Sequence, residues 1–423
     1  MKRLEKEFAV SRTAMKKIME AFCSEMEKGL AGKGGSLKMI PTYVEMPTGK
    51  ERGRYIALDL GGTNFRVLEL ALKGDHKVGR PNIMKFALEK KHMSGSAELF
   101  FGFIADCVKD FLKRYKLPDD RPLDLGFTFS FPIRQTGIAS GILMCWTKGF
   151  AARGVVGSDV VKLMNKALAR KGIKNINISA LVNDTVGTLV AKCYEKPDCD
   201  VGVIIGTGSN ACYPEKLSGI KKWHGPGNRS GQMVINIEWG NFNKLAVTSY
   251  DRQLDRNSNN PGEQILEKMV SGMYLGQIAG LVLKDMGIEP DSFETMHMSE
   301  IEDDATKDLR KTRALLAKLG LPKTSIKERR LIRKVCGIIS ARAARISASC
   351  IAAILTRIDP DISGTHTIAI DGSVFEKHPT FANAMKEALK DIFARKAGRI
   401  KLALAKDGSG KGAAIVAAVA AKR

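Results

Sequence analysis

The chain has 423 residues, of which 44% are apolar and 27% charged, with a formal net charge of +23. That length suits two or three domains, each able to bury a core, and the composition excludes a disordered or collagen-like chain. So large a positive charge would attract nucleic acid, an anionic membrane or anionic substrates.

The lysines and arginines are nevertheless spread along the chain, and the densest stretch, Lys323 to Lys334, is broken by Glu328 and by apolar positions. It reads as a helix with a solvated basic face. No aromatics interleave with it as a stacking platform would need, so nucleic acid is not expected as the main partner. The eight cysteines form no C-x-x-C pair and no disulfide ladder, which fits reduced thiols in the cytoplasm. No run of 18 apolar residues occurs, so neither a membrane span nor a membrane partner is expected. Glu5 and Glu7 follow Met1-Lys2-Arg3 without an apolar core, against a signal or transit peptide.

In chain order, Met15, Ile18, Met19, Phe22 and Met26 recur at helical spacing and predict one amphipathic helix over residues 1 to about 30. Strand-like text begins near Tyr55 and resumes as Phe65 to Leu72, a hairpin-like pair around a glycine turn. A helix over about 96–115, a strand near Leu125 to Phe129, a loop to Phe150 and a helix over about 157–171 follow. Strands near Ile176 to Val182 and Val201 to Ile205 flank a helix that starts near Asp184. From about 262 to 357 the chain reads as mostly helical. A strand at Ile368 to Ile370 precedes a glycine turn at Gly372, and a small-residue helix closes the chain from about 411. This alternation is that of the α/β class.

Two short glycine-threonine loops carry the chemical signal. Asp59-Leu60-Gly61-Gly62-Thr63-Asn64 and Gly206-Thr207-Gly208-Ser209-Asn210 each follow an apolar run. Glycine lets the backbone come close to an anion, and main-chain N–H groups with a threonine hydroxyl then face it. Two such loops suggest a triphosphate gripped between two lobes, hence phosphoryl transfer. The second loop also fits a relaxed dinucleotide pattern, but Pro214 interrupts soon after and no acidic residue stands at the required distance. Gly408-Ser409-Gly410-Lys411-Gly412 lacks the upstream glycine and the hydroxyl residue of a P-loop. Taken alone, Asp184 at the start of its helix reads as a cap as readily as a base.

Read in order, the motifs say more. Leu125 to Pro132 is followed by Trp146-Thr147-Lys148-Gly149-Phe150, by Asn183-Asp184-Thr185-Val186-Gly187-Thr188 and by the second glycine loop. Glu238-Trp239-Gly240, Asn260-Pro261-Gly262-Glu263-Gln264 with Glu267, and Asp371-Gly372-Ser373-Val374 complete the series. From about Pro41 to Ala421 this resembles the eukaryotic-type hexokinase and glucokinase family.

The resemblance implies a two-lobed actin-like ATPase (ribonuclease H-like) fold with a deep interlobe cleft. The small lobe would be residues 50–182 with 407–423, and the large lobe 1–49 with 183–406. It implies ATP-dependent phosphorylation of glucose, and of mannose or fructose, at the 6-hydroxyl for entry into glycolysis. Asp184 would be the base and Lys148 the positive charge near the transferred group. Sugar contacts would come from Ser130, Phe131, Pro132, Thr147, Lys148, Asn183, Asp184, Asn210, Glu238, Gln264 and Glu267. ATP would meet Asp59, Gly61, Gly62, Thr63, Asn64, Gly206, Thr207, Gly208, Gly372 and Ser373, with Mg2+ held by Asp59 through water. Trp239 is assigned to the core, and Arg66 to structure rather than to a phosphate clamp. The partners implied are a small-molecule hexose and ATP, in a monomer or homodimer. A narrow glucokinase is the alternative, and an idle sugar sensor a more distant one. The chain departs from the family pattern at Ala139 and at Asn241-Phe242-Asn243-Lys244, which bears on substrate breadth and not on the core ligands.

Overall fold

The computed structural model describes residues 1–60, 64–118, 120–147 and 149–421. Its strands, in chain order, are β1 (Ile40–Pro41), β2 (Arg52–Leu60), β3 (Asn64–Lys73), β4 (Asn82–Ala87), β5 (Leu123–Phe129), β6 (Ile133–Gly137), β7 (Ser140–Leu143), β8 (Ile176–Val182), β9 (Cys199–Ile205), β10 (Ser209–Lys216), β11 (Gln232–Asn236), β12 (His366–Asp371) and β13 (Ile400–Leu404). One sheet has five strands in the order β4-β3-β2-β5-β8, and another has six in the order β1-β11-β10-β9-β12-β13. In the first, β2 runs parallel to β5 and β5 to β8, while β3 and β4 are antiparallel.

Two compact units divide the chain. One comprises Met1–Met39, Val203–Ala211 and Ile237–Leu404, the other Ile40–Gly202, Cys212–Asn236 and Ala405–Arg423. In the first, Phe22 packs its ring against Phe242 and Trp239, at centroid distances of 5.0 and 6.5 Å. In the second, Phe100, Phe129, Phe131, Trp146 and Phe150 form one contiguous aromatic cluster.

The single helix expected over residues 1 to about 30 is two, Lys2–Phe8 and Arg12–Leu30. Ser11 is the reason: its hydroxyl accepts from the Ala14 N–H at 3.2 Å, so a new helix is capped there. The expected loop from Phe129 to Phe150 contains the β6–β7 hairpin, and β10, β11 and β13 also go beyond the predicted strands. By length and mean hydropathy the helix Ile326–Ile358 could cross a membrane, but 83% of its apolar window is buried inside the protein. It is a core helix.

Helix Gly408–Ala421 lies against β5 and against helix Asp184–Glu195, and glycines permit the approach. A Cβ on Gly126 would strike the Ala413 main chain, and one on Gly412 the main chain of Gly187. Small residues are therefore required on all three elements.

Candidate active site

Strand register builds the first half of the site. Asp59 on β2 stands opposite Arg66 on β3 and beside Thr128 on β5. All three reach the segment that starts the C-terminal helix. Arg66 donates to both Asp59 and Asp407, Ser409 Oγ donates to Asp59 Oδ2 at 2.9 Å, and Thr128 Oγ1 donates to the Ser409 carbonyl at 3.2 Å. Burial works to lower the Arg66 pKa, but the two carboxylates outweigh it and hold the guanidinium more firmly charged than usual. Arg66 thus bridges Asp59 and Asp407. Gly61, Gly62 and Thr63 lie outside the described residues, and Asn64 begins β3.

In the same unit, Asn183 caps the helix Asp184–Glu195, its side chain accepting from the Thr185 N–H at 3.0 Å. Asp184 is therefore the first helical residue and not the cap. Its Oδ1 accepts from the Thr185 N–H at 2.8 Å and from the Thr185 hydroxyl at 3.3 Å. Asp184 is half-buried, and among the described residues no cation pairs with it. Cys212 supports this turn from below: its Sγ donates to the Thr185 carbonyl at 3.2 Å, and burial pushes the thiol well above its ordinary pKa. Ser130 is buried, whereas Pro132 and Thr147 are exposed. The Phe131 ring points into the aromatic cluster, 4.8 Å from Trp146 between centroids, so only its main chain is available to a ligand. Lys148 lies outside the described residues.

The other unit gathers the remaining sugar candidates. Glu267, on helix Ile265–Val270, is half-buried and accepts from the Ser209 N–H at 2.8 Å, so it is held at the second glycine loop. Asn210 donates to Glu238 Oε1 at 3.3 Å and accepts from the Ala211 N–H at 2.7 Å. Gln264 and Glu267 crowd Gly240, where a Cβ would meet both side chains. Glu238 and Gln264 each adopt a left-handed backbone, both with φ of 54°, a conformation that costs a non-glycine residue free energy and that clusters at functional sites. Trp239 is fully buried, as expected of a core residue, and its indole N–H donates to Ser209 Oγ at 2.8 Å.

Main chain surrounds the second glycine loop. The Gly206 N–H donates to the Gly208 carbonyl at 3.0 Å, the Gly272 N–H to the Gly206 carbonyl at 2.7 Å, and the Met273 N–H to the Thr207 carbonyl at 3.2 Å. Gly372, at φ 118°, lies so close that a Cβ would strike the backbone of Ile205 and Gly206. Small-ligand pockets typically span about 300–1,000 Å³, and the cavity here measures 770 Å³, lined by Thr207, Gly272, Met273, Ser373, Val374 and Lys377 among others. Gly272, Met273 and Lys377 are absent from the sequence-derived set, as are Asp407 and Ser409. The contacts of Gly272 and Met273 with the loop are made by main chain, which leaves no residue-type signature.

The fold and these clusters define a phosphotransferase of the actin-like ATPase fold. Two family models described as Hexokinase match residues 1–194 and 200–419. The chain is 41% identical to Hexokinase-1 of Arabidopsis thaliana, over 99% of this chain and 90% of that protein. To Hexokinase-1 of Spinacia oleracea it is 43% identical, over 96% and 87% respectively. A solved hexokinase from Schistosoma mansoni, complexed with glucose, superposes with a TM-score of 0.87 at 36% identity, covering 99% of this chain and 97% of that one. Another solved hexokinase gives 0.88 at 32% identity, over 100% and 98%. The chain belongs to the hexokinase family, enzymes that phosphorylate hexoses with ATP.

Proposed function

We propose that this enzyme transfers the γ-phosphoryl of ATP to the 6-hydroxyl of glucose, with Asp184 as the general base. The observation that carries the reading is the placement of Asp184. Asn183 takes over the capping role, Thr185 fixes one carboxylate oxygen, and among the described residues no cation neutralises the group. A fixed, half-buried carboxylate is what a poorly acidic sugar hydroxyl needs within hydrogen-bond reach.

The sugar's other hydroxyls would be met by Ser130, the Phe131 main chain, Pro132, Thr147, Lys148 and Asn183, and by Asn210, Glu238, Gln264 and Glu267. Carboxylates and amides there accept and donate in fixed directions. The triphosphate would be cradled by residues 61–64 and by Gly206, Thr207 and Gly208, with the nucleoside in the cavity beside Gly372 and Ser373. Phosphoryl transfer relies on positioning and charge stabilisation, which Lys148 would supply. The donor set fits Mg2+: Asp59 Oδ2 already receives Ser409 and Arg66, leaving its other oxygen to face a hydrated cation. Magnesium takes few protein carboxylates and keeps several waters; when bound it would neutralise charge on the phosphates. We further propose lobes of residues 50–182 with 407–423 and 1–49 with 183–406, bounds that differ from those of the two compact units, in which 40–49, 183–202 and 212–236 group with 50–182, and we propose a cytoplasmic compartment.

The test is ATP-dependent turnover of a panel of glucose, mannose, fructose, galactose and N-acetylglucosamine, with a no-sugar control. Turnover of glucose with mannose or fructose establishes a broad hexokinase, and of glucose alone a glucokinase. Sugar binding without turnover of any member overturns the proposal.

A further inference from the structure

The excess positive charge is not uniform in the folded protein. Residues 305–334 contain eleven Lys and Arg against Asp308 and Glu328, so nine of the 23 excess charges fall in thirty residues. The fold wraps this segment into helix Arg310–Lys318 and the start of helix Ile326–Ile358. Between the loop that leads into the first helix and the start of the second lies a pocket of 370 Å³ lined by Thr306, Lys307, Leu309, Arg330, Arg333 and Lys334.

The pocket walls are built rather than incidental. Asp304 is fully buried and accepts from the N–H and hydroxyl of both Thr306 and Thr312, which pins the loop that carries Lys307. Burial works to raise the Asp304 pKa, but these four donors outweigh it and hold the carboxylate far below its usual range. Arg333 is fixed by donating to the carbonyls of Asp304 and Glu302 at 3.0 and 3.2 Å. Arg329, just outside, crosslinks Asp308 and Thr324 through their carbonyls. Lys334 pairs with Glu5. Lys307 and Arg330 are exposed, and among the described residues neither forms an ion pair or a hydrogen bond.

We propose that this pocket binds an anion bearing clustered phosphate groups, at a site separate from the nucleotide cavity. Four cations converge on a concave, rigid frame, and only Lys334 is offset by an acidic partner. Arginine presents a fork matched to phosphate oxygens while lysine acts as a point charge. The lining carries no aromatic ring on which a base would stack, which favours a compact polyphosphate over a nucleic acid strand. Two sources share this chemistry, a free polyphosphate and a phosphoinositide headgroup.

Calorimetric titration with inorganic tripolyphosphate, on the whole protein saturated with glucose and Mg·ADP to occupy the nucleotide site, tests the assignment. One equivalent should bind, more weakly as salt rises. The double variant Lys307→Glu/Arg330→Glu should bind at least about tenfold more weakly. Because both side chains are exposed and, among the described residues, form no ion pair or side-chain hydrogen bond, its turnover of hexose and its thermal midpoint should match those of the parent. Sedimentation with vesicles of phosphatidylcholine, with and without phosphatidylinositol 4,5-bisphosphate, separates the sources. Capture that the double variant loses assigns the lipid headgroup, and tripolyphosphate binding without capture assigns a free anion. Failure of tripolyphosphate to bind, binding unchanged in the double variant, or binding of RNA alone would each overturn the proposal.

Discussion

Around the strands that flank the first glycine loop, the fastening groups are charged side chains: Arg66 joins Asp59 to Asp407, and Ser409 adds a hydroxyl. Around the Gly206–Gly208 turn of the second loop they are mostly main chain, with Gly206, Gly208, Gly272, Met273 and Gly372 packed backbone to backbone, and side chains enter at Ser209, through Glu267 and Trp239. The two regions assigned to the triphosphate under the proposed function are thus fastened by two constructions. A side-chain network can be retuned by changing one charge. A main-chain network tolerates almost no added atom, because the obstacle is backbone that cannot rotate away. The comparison predicts that substitutions near Asp59 will alter chemistry, and that substitutions that drive an atom into the backbone around Gly206 will alter nucleotide affinity and stability.

The largest effect belongs to a side chain outside both networks, in the same compact unit as Asp59. Asp184→Asn preserves shape and the Thr185 contact but removes the base, so kcat should fall by about 10²–10⁴. Glucose affinity, read by intrinsic fluorescence, should change little. Near-parental kcat in this variant would remove Asp184 from the reaction and leave it a helix residue. Next in size is Gly372→Ala. Its φ of 118° and the backbone of Ile205 and Gly206 leave a methyl no room, so stability should fall by about 1–3 kcal/mol in urea unfolding and KM for ATP should rise. Gly208→Ala is the matched contrast. There a Cβ meets only the Glu267 carboxylate, at 2.8 Å, a movable end, so stability should hold while KM for sugar rises.

What the sequence made legible follows the same division. The glycine loops stood out by composition alone, whereas Asp59, Asp184 and Glu267 took their expected roles only from the resemblance to the family, since Asp184 by itself reads as a cap as readily as a base. Strand register was readable only in part: the Tyr55 and Phe65 runs predicted a pair, but not that Asp59 would face Arg66. The β6–β7 hairpin was missed because Ile133 to Leu143 lacks a long alternating run, and its stability comes from a tertiary setting in which Gln135 donates to the Thr42 and Leu181 carbonyls. The Ser11 break was missed because the apolar stripe does begin only at Met15, and a cap four residues earlier leaves that periodicity intact. Gly272 and Met273 reach the second loop through amides that every residue has. Asp407 and Ser409 lie 341 and 350 residues from their respective partners Arg66 and Asp59, a separation that no local pattern spans.

A smaller effect sharpens the charged side of the comparison. Arg66→Lys retains one positive charge but loses the fork that reaches two carboxylates at once. Asp59 would then be less well oriented, and kcat should drop by about tenfold, the scale seen when partners behind a metal-binding group are altered. The dependence on magnesium concentration should shift to higher values with sugar KM unchanged. Asp407→Asn should give a milder version of the same shift, since the Arg66–Asp59 contact survives. An unaltered magnesium dependence in both variants would make the bridge purely structural.

The smallest effect supplies the control, a charged cluster remote in sequence from either glycine loop. Glu25 on helix Arg12–Leu30 accepts from Lys28 Nζ at 2.7 Å and from the N–H and hydroxyl of Ser36 at 2.6 and 2.9 Å. Burial alone would raise its pKa, but these donors outweigh it and lower the value from 4.5 to about 2. A carboxylate whose folded pKa is depressed binds its proton more readily in the unfolded chain, so its stabilisation is complete above pH 4.5 and declines as pH falls toward 2. Glu25→Gln should therefore lower the urea midpoint at neutral pH, and the gap from the parent should narrow in acid. Turnover of the variant at neutral pH should equal that of the parent. If charge removal at Glu25 and at Asp59 lowered kcat alike, the first glycine loop would have no special claim on its ionic frame, and the contrast between the two constructions would reduce to stability alone.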